Sequence, residues 1–549
     1  MTGTGALPYR FAPHERPLFP GGPFTPRHPG RRKAAYLAAA LISGVVATLG
    51  SGLVSVNQAA IAGSAGLYAA EAAWLPAITV AMNATANLLL VKARTQFGIQ
   101  PVTQLLLLFY ALTALIQLLA PGFPAMAAVR AASGLAGGAL LAITIFDLLQ
   151  TVPAPAKPIA VGLAICISQF GPVLARLFPV EFLALGAWRG LSLVELILAL
   201  SALLMLHLVR LPPSEKQKAF EPLDFVTMAL AVPAMLLICG VLAQGRLLWW
   251  FDSPRLGWML AASVPLLAGA ILVERGRARP LLLIDWLSTS LMLRFALVAL
   301  LVRFTLAEQT YGAVGLLAAT GLNNDQLRLL FILVALAMLL GTIVMALLVA
   351  RLGPQRLNHQ VLAATLIIAL AAWLDSHATN QTRPAQLYLS QALIGCGTCL
   401  FIAPALLTGV LQVLQRGGDH LVSVIVLFST TQNLGGLAGA AFLGTYQAES
   451  ARAHAAGLAE QLTAGNVALQ EQLRAAAGAL SGTLTDPAAL AQQSAARLSQ
   501  AVLREANILA FNDTFRLVAL IALATATLIA ATILFTTLRA RRPAAETPS

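Results

Sequence analysis

The sequence predicts an all-α integral membrane protein with fourteen transmembrane helices in a six plus two plus six arrangement and both termini cytoplasmic. Three observations predict it. Apolar residues fill 58% of the 549 positions and charged residues 10%, with a mean hydropathy of +0.80, a balance typical of bilayer-embedded helices. Apolar runs of about 20 residues, the length that spans a hydrocarbon core, follow one another from Ala34 to Leu538. Lysine and arginine collect in every second gap between those runs. Lipid offers no partners to backbone N–H and C=O groups, so each run must be helical.

Residues 1–33 are proline-rich and basic and contain no apolar h-region, which predicts a disordered cytoplasmic tail and not a cleaved signal. The N-terminal bundle, residues 34–211, holds spans at 34–57, 70–91, 101–120, 123–150, 158–178 and 188–210. Arg31, Arg32 and Lys33 precede the first span, Lys92 and Arg94 follow the second, Lys157 the fourth, and Arg210, Lys216 and Lys218 the sixth. The gaps at 58–69, 121–122 and 179–187 lack lysine and arginine. The positive-inside rule then places both termini in the cytoplasm and makes the span count even. A linker with two inserted spans, 224–243 and 257–274, occupies 212–280. The C-terminal bundle, 281–538, holds spans at 291–316, 327–350, 359–376, 385–411, 420–445 and 514–538, and a cytoplasmic tail covers 539–549. Basic clusters at Arg275, Arg277 and Arg279, at Arg351 and Arg356, and at Arg539 and Arg541 continue the pattern, while Arg246, Arg255 and Arg383 fall on the outer side. Two six-helix halves related by an axis along the membrane normal are a common transporter construction.

One polar segment breaks the rhythm. Residues 447–511 are rich in alanine, glutamine and leucine, with Leu458, Leu462, Leu469, Leu473, Leu490, Leu498 and Val502 at helical spacing. Gly482 and Thr485 interrupt the pattern, and Asp486 followed by Pro487 makes an N-cap and first-turn pair. A periplasmic helical hairpin is expected here, with an unstructured loop as the alternative.

Several function classes are poorly supported. The net charge of +13 sits in cytoplasmic turns and does not form a nucleic-acid surface. Cys166, Cys239, Cys396 and Cys399 all lie in spans, and the pair at Cys396 and Cys399 has no second pair or histidine to complete a zinc site. The seven histidines are scattered, and no GxxxxGK[ST] loop is present to cradle phosphates. No metal, cofactor or enzymatic chemistry is expected.

Local motifs point to transport. The run RAASGLAGG from Arg130 through Gly134 and Gly137 to Gly138 resembles the RxxQG motif of the major facilitator superfamily, and Gly162 through Gly171 and Pro172 resembles the antiporter motif ending in GPxxGG. Trp188 with Arg189, Gln244 with Gly245, the stretch from Trp250 to Pro254, Leu434 with Gly435 and Gly436, and the stretch from Phe511 to Phe515 match in order and spacing. Together they resemble the fourteen-spanner drug:proton antiporters of the EmrB/QacA type, over essentially residues 34–538. The insert at 447–511 resembles the EmrB branch, the inner-membrane pumps of tripartite efflux systems. The resemblance implies a major facilitator fold, a proton-relay or conformational role for Arg130, and a periplasmic adaptor and outer-membrane channel as partners.

Physical reasons stand beside the resemblance. Gly134 and Gly138 let neighbouring helices approach closely, and Gly171 with Pro172 frees a carbonyl and suits a hinge. Arg94 and Gly98 form a basic, tight cytoplasmic turn. Arg130 costs about 2.5–3.5 kcal/mol in mid-bilayer and needs a wet interior or a partner; a purely structural hydrogen-bonding arginine is the alternative. This sequence also departs from the family pattern. Gly52 stands where the first-span aspartate is usual, Thr95 takes the acidic position of the turn after the second span, and Ala175 and Arg176 replace two glycines.

Proton coupling needs a group that loads and unloads a proton, ordinarily a buried carboxyl. Glu195 in the sixth span and Glu308 in the ninth are the leading candidates, either of which could instead be a fixed ion-pair partner. Asp147, near the cytoplasmic end of the fourth, reads better as a cap or latch. Five residues of helix turn about 140°, so Arg303 does not share a face with Glu308 unless it bends toward it. Asn57, Arg303, Gln309, Gln391, Gln432 and Asn433 are candidate anchors for an amphipathic or aromatic small-molecule substrate in a cavity between bundles, or alternatively glue between helices. Three functions remain open at this point: an exporter driven by protons, a facilitator or uptake carrier for a metabolite, and a non-transporting membrane scaffold or sensor.

Overall fold

The computed structural model describes residues 12, 15–17, 21–277, 279–414, 420–461, 470–471, 474–475, 478 and 486–541. Fourteen helices among them are long and apolar enough to cross a membrane: Gly30–Val56, Ala69–Phe97, Ile99–Leu119, Phe123–Leu149, Ala154–Ala175, Trp188–Leu208, Pro222–Leu248, Pro254–Glu274, Ser290–Ala319, Asn324–Leu352, Leu357–Asp375, Pro384–Leu411, Ser423–Glu460 and Ala488–Leu538. They follow the expected spans one for one. The repeat shows in how the helices pair. The first span packs on the fifth as the ninth does on the thirteenth; the second and third pack on the fourth as the tenth and eleventh do on the twelfth. The halves meet where the fifth span touches the tenth and twelfth and the second touches the thirteenth, and the inserted seventh span lies against both the second and the thirteenth.

Residue size decides which helices are central. The fourth and twelfth spans are 78% and 83% buried over their apolar windows, against 17% for the inserted eighth. A Cβ on Gly134 would stand 2.6 Å from the Thr79 carbonyl oxygen, and one on Gly341 would stand 2.6 Å from that of Cys396, so only glycine allows these backbones to touch. On the periphery, Leu105, Leu108 and Leu112 of the third span and Leu336, Leu339 and Leu340 of the tenth are exposed, as a lipid-facing surface requires.

The cytoplasmic face is tied by charge. Asp224, fully buried at the start of the seventh span, accepts from Lys92 Nζ at 2.7 Å and from Arg277 at 2.7 Å, while Arg277 also reaches Glu274 at 2.7 Å. Removing the Asp224 charge leaves Lys92 with the Arg279 backbone oxygen, while Arg277 keeps Glu274 and Glu221, a loss of about 1–3 kcal/mol. Asp224→Asn is therefore expected to lower the thermal unfolding midpoint of the purified protein, and an unchanged midpoint would contradict this role.

The described stretch at 21–29 lies against the rest of the chain. Pro23 bridges Ser214, Phe24 N donates to the Pro213 oxygen at 3.1 Å, and Gln150 donates to the Phe24 oxygen at 3.0 Å. Its prolines hold it extended, and the exposed carbonyls and amides of the 211–214 linker supply partners. Gly30–Val56 is already helical from Gly30. At the other side of the membrane, the thirteenth and fourteenth spans belong to longer helices, Leu421–Gln461 and Pro487–Arg541. Their extensions are joined by Gln447 to Asn507 at 2.9 Å and by Ser450 and His454 to Asp513, each at 2.7 Å. The second arm begins at Pro487, with Ala488 N donating to Asp486 at 3.1 Å. Leu462, Leu469, Leu473, Gly482 and Thr485 lie outside the described residues.

Candidate functional site

A cavity lies between the two halves. Its inner chamber, about 260 Å³, is bounded by residues such as Asn83, Ser168 and Phe428; its outer chamber, about 520 Å³, reaches Gln58, Ala73, Arg246 and Tyr311. Ser51, Pro172, Arg303, Gln432 and Asn433 line both, so the two form one path that widens toward the outer ends of the spans. Toward the cytoplasm the halves close on each other. A Cβ on Gly162 would stand 3.1 Å from Ala403 Cβ, Cys166 Sγ lies 3.7 Å from the Cys399 oxygen, and Asn87 donates to Ser429 Oγ at 2.9 Å.

Each half encloses one buried ionisable cluster. In the N-terminal half, Arg130 forms an ion pair with Glu195, with 2% and 0% side-chain exposure. Arg130 also donates to the Gly50 oxygen at 3.4 Å, and the Tyr110 hydroxyl reaches Glu195 at 3.5 Å. The second Glu195 oxygen has no hydrogen-bond partner among the described residues. Gly50 carries no side chain where a Cβ would crowd the Tyr110 hydroxyl at 2.5 Å.

In the C-terminal half, the Gln391 amide donates to Glu308 at 3.1 Å and to Asp375 at 2.7 Å, joining two carboxyls that are both within the core. The one Gln391 amide thus brings the Glu308 and Asp375 carboxyls together in a single buried site. Among the described residues neither carboxyl has a cation within ion-pair distance. Glu308 opens a short π-helical stretch, Glu308–Ala313, a local widening that often accompanies functional positions. Its neighbours Thr310 and Tyr311 face the cavity. Arg130 is seven residues beyond Phe123 and Gln391 seven beyond Pro384, so the two occupy matching places in equivalent spans.

The remaining sequence candidates divide clearly. Arg303, Gln432 and Asn433 line the cavity, and Asn433 donates across the halves to Asn83 at 3.0 Å. Asn57, Gln309 and Gln391 are not among the residues lining these two chambers. Asn57 donates to the Leu53 oxygen at 2.8 Å because the last turn of its helix leaves carbonyls unsatisfied, and Gln309 donates to the Gln391 oxygen at 3.3 Å. Arg303 turns toward Gln432, whose oxygen its Nε meets at 3.3 Å, and not toward Glu308. Asp147 is buried at the cytoplasmic end of the fourth span, apart from both clusters. Arg94 is buried with its guanidinium 5.7 Å from the Phe146 ring, and Gly98 turns the chain at a φ of +92°. Gly171 abuts Thr48 and Leu49, while Pro172 stands inside its helix and on the cavity wall.

Sequence reasoning missed Asp375, Tyr110 and the Asp224 network. A Cβ on Gly52, at the place of the usual aspartate, would stand 3.0 Å from Pro172 Cα and 3.1 Å from Ala175 Cβ, so a larger residue there requires these neighbours to give by a few tenths of an ångström.

A family model described as Major Facilitator Superfamily matches residues 39–440. No curated protein matches the sequence. Among solved structures, the human organic anion transporter MFSD10 (TETRAN) is similar with a TM-score of 0.52 and 15% identity, covering 92% of this chain and 100% of that one. The POT family transporter PepTSo gives a TM-score of 0.53, 15% identity and coverages of 92% and 99%. The proton:xylose symporter XylE bound to 6-bromo-6-deoxy-D-glucose gives 0.51, 14%, 75% and 88%. At these identities the likeness concerns the fold.

Proposed function

Because the chain belongs to the major facilitator superfamily, and is thus a multi-pass secondary transporter working by alternating access and not an enzyme, we propose that it is a proton-coupled exporter of amphipathic compounds. The carrying observation is a cavity open toward the outer side, flanked in each half by a buried carboxyl that faces no water. Such groups are costly in a membrane interior, and a transport cycle that moves protons gives them work.

Under this reading a proton arriving on Glu195 removes the negative partner of Arg130. The guanidinium is left with the Gly50 oxygen, and Gly50 precedes Ser51 on the cavity wall. The Glu308 and Asp375 carboxyls, without a cation, hold a proton between them, since two carboxylates in one dry site repel strongly. Its release moves charge beside Thr310 and Tyr311, the residues that line the outer chamber. Gly171 and Pro172 give the fifth span its flexible point against the first.

The order of motifs supports the fourteen-span drug:proton antiporter type, and the paired helical extensions support the EmrB-like branch. In that setting the protein resides in the inner membrane, and the 447–511 hairpin meets a periplasmic adaptor and outer-membrane channel. Expression in a pump-deficient host is expected to raise resistance to at least one amphipathic compound, and a protonophore should erase the gain. Unchanged susceptibility to every compound would contradict export. The packed Gly52 favours a second reading, a facilitator without coupling; it predicts that substrate binding releases no proton from the purified protein.

A further inference from the structure

The cavity wall carries cations and no anions. Arg176, Arg246 and Arg303 line the outer chamber and Arg303 the inner one as well, whereas neither chamber is lined by an aspartate or glutamate. These arginines are not strays at a rim, because the surrounding backbone makes room for them. Gly435 and Gly436 seat Arg303: a Cβ on the first would stand 3.0 Å from Arg303 Cβ, and one on the second 3.2 Å from its Nε. Gly444 seats Arg246 in the same way, with a Cβ there falling 3.0 Å from Arg246 Cδ. Arg176 is held by Asn324 at 3.1 Å and by the Phe331 ring at 4.8 Å.

The partners these groups do have are neutral. Arg246 donates to the Tyr311 hydroxyl and Arg303 to a backbone oxygen. Among the described residues none of the three has a carboxylate within ion-pair distance. Arg176 is buried, Arg303 partly so, and Arg246 is exposed at the outer mouth; cations along a path without counter-charges attract an anion, and guanidinium groups match carboxylate, sulfonate and phosphate oxygens by paired hydrogen bonds. The rest of the wall is largely apolar, with Val80, Leu242, Leu247 and Leu437 in the outer chamber and Leu406 and Phe428 in the inner. The geometry points to an amphipathic organic anion as the cargo, its acidic group held among Arg176, Arg246 and Arg303 and its apolar body on the leucine-rich wall. This deepens the exporter reading and rests on it. An anion leaving a cell whose interior is negative moves with the membrane potential.

The test compares two probes with one ring system and opposite charge, 1-pyrenesulfonate and (1-pyrenylmethyl)trimethylammonium, by equilibrium dialysis against the full-length purified protein. The sulfonate is expected to bind at least about tenfold more tightly. Arg303→Gln is expected to remove most of that preference, and so is Arg246→Gln, whose exposed position makes misfolding an unsuitable explanation. Equal affinities, a preference for the ammonium probe, binding of neither probe, or a preference untouched by both variants would overturn the assignment. Each of those results leaves the protonophore-sensitive resistance test untouched, so loss of the charge assignment and loss of proton-driven export are separately visible.

Discussion

Arg130→Ala is expected to lower stability by about 3–5 kcal/mol, because it leaves Glu195 charged, fully enclosed and without its cation. Transport should cease as well, since the contact with the Gly50 oxygen on the first span disappears with the guanidinium. The two effects separate in the double variant. Arg130→Ala with Glu195→Gln removes both charges, so stability should largely return while transport does not. Arg130→Lys should fail to restore transport, because one ammonium on a shorter stem does not reproduce a planar fork serving two acceptors. Thermal unfolding of the purified variants alongside the resistance assay reads both outcomes. Equal stability of the single and wild-type proteins would contradict a buried, paired Glu195.

The second large effect is expected from Glu308→Gln combined with Asp375→Asn. Both changes keep shape and hydrogen-bonding capacity near the Gln391 amide and remove the site's ability to bind a proton. Each single variant retains one carboxyl and should keep part of the coupling; the pair should lose it. Folding should survive, because replacing two mutually repelling acids by amides leaves no unpaired charge behind.

The helices were legible because they follow from run length and lipid's lack of hydrogen-bond partners. The buried acids were legible one at a time, since a charge inside an apolar run is conspicuous. Their partners were not. Glu195 meets Arg130 across 65 positions of sequence and Glu308 meets Gln391 across 83, distances bridged only by helix packing. Asp375 escaped because it closes its span and reads as an interfacial residue beside Ser376 and His377. Aligning the halves could have found it: Gln391 matches Arg130 in position, which marks the spans around it for a counterpart cluster. Asn57 was ambiguous because an amide near a helix end satisfies its own carbonyls as readily as a ligand.

Gly52 and Ala175, two departures from the family pattern, lie close together: a Cβ on Gly52 would stand 3.1 Å from Ala175 Cβ and 3.0 Å from Pro172 Cα, so a larger residue there requires its neighbours to give by a few tenths of an ångström. With no first-span carboxyl available, the proposed coupling would fall to Glu195 and to the Glu308 and Asp375 pair, all outside the cavity wall.

The central claim is that protons on these buried carboxyls set the balance between the two orientations of the halves. It is tested without knowing the cargo by placing spin labels at Ser64→Cys and Gln381→Cys, exposed positions in outer turns of opposite halves. Distances are then compared in mildly acidic and mildly alkaline buffer. The account predicts a distance distribution that shifts between the two conditions, shifts less in the Glu308→Gln, Asp375→Asn background, and becomes independent of pH when Glu195→Gln is added to it. A distribution insensitive to pH in the otherwise unaltered protein, or a shift that persists undiminished in that background, would contradict it.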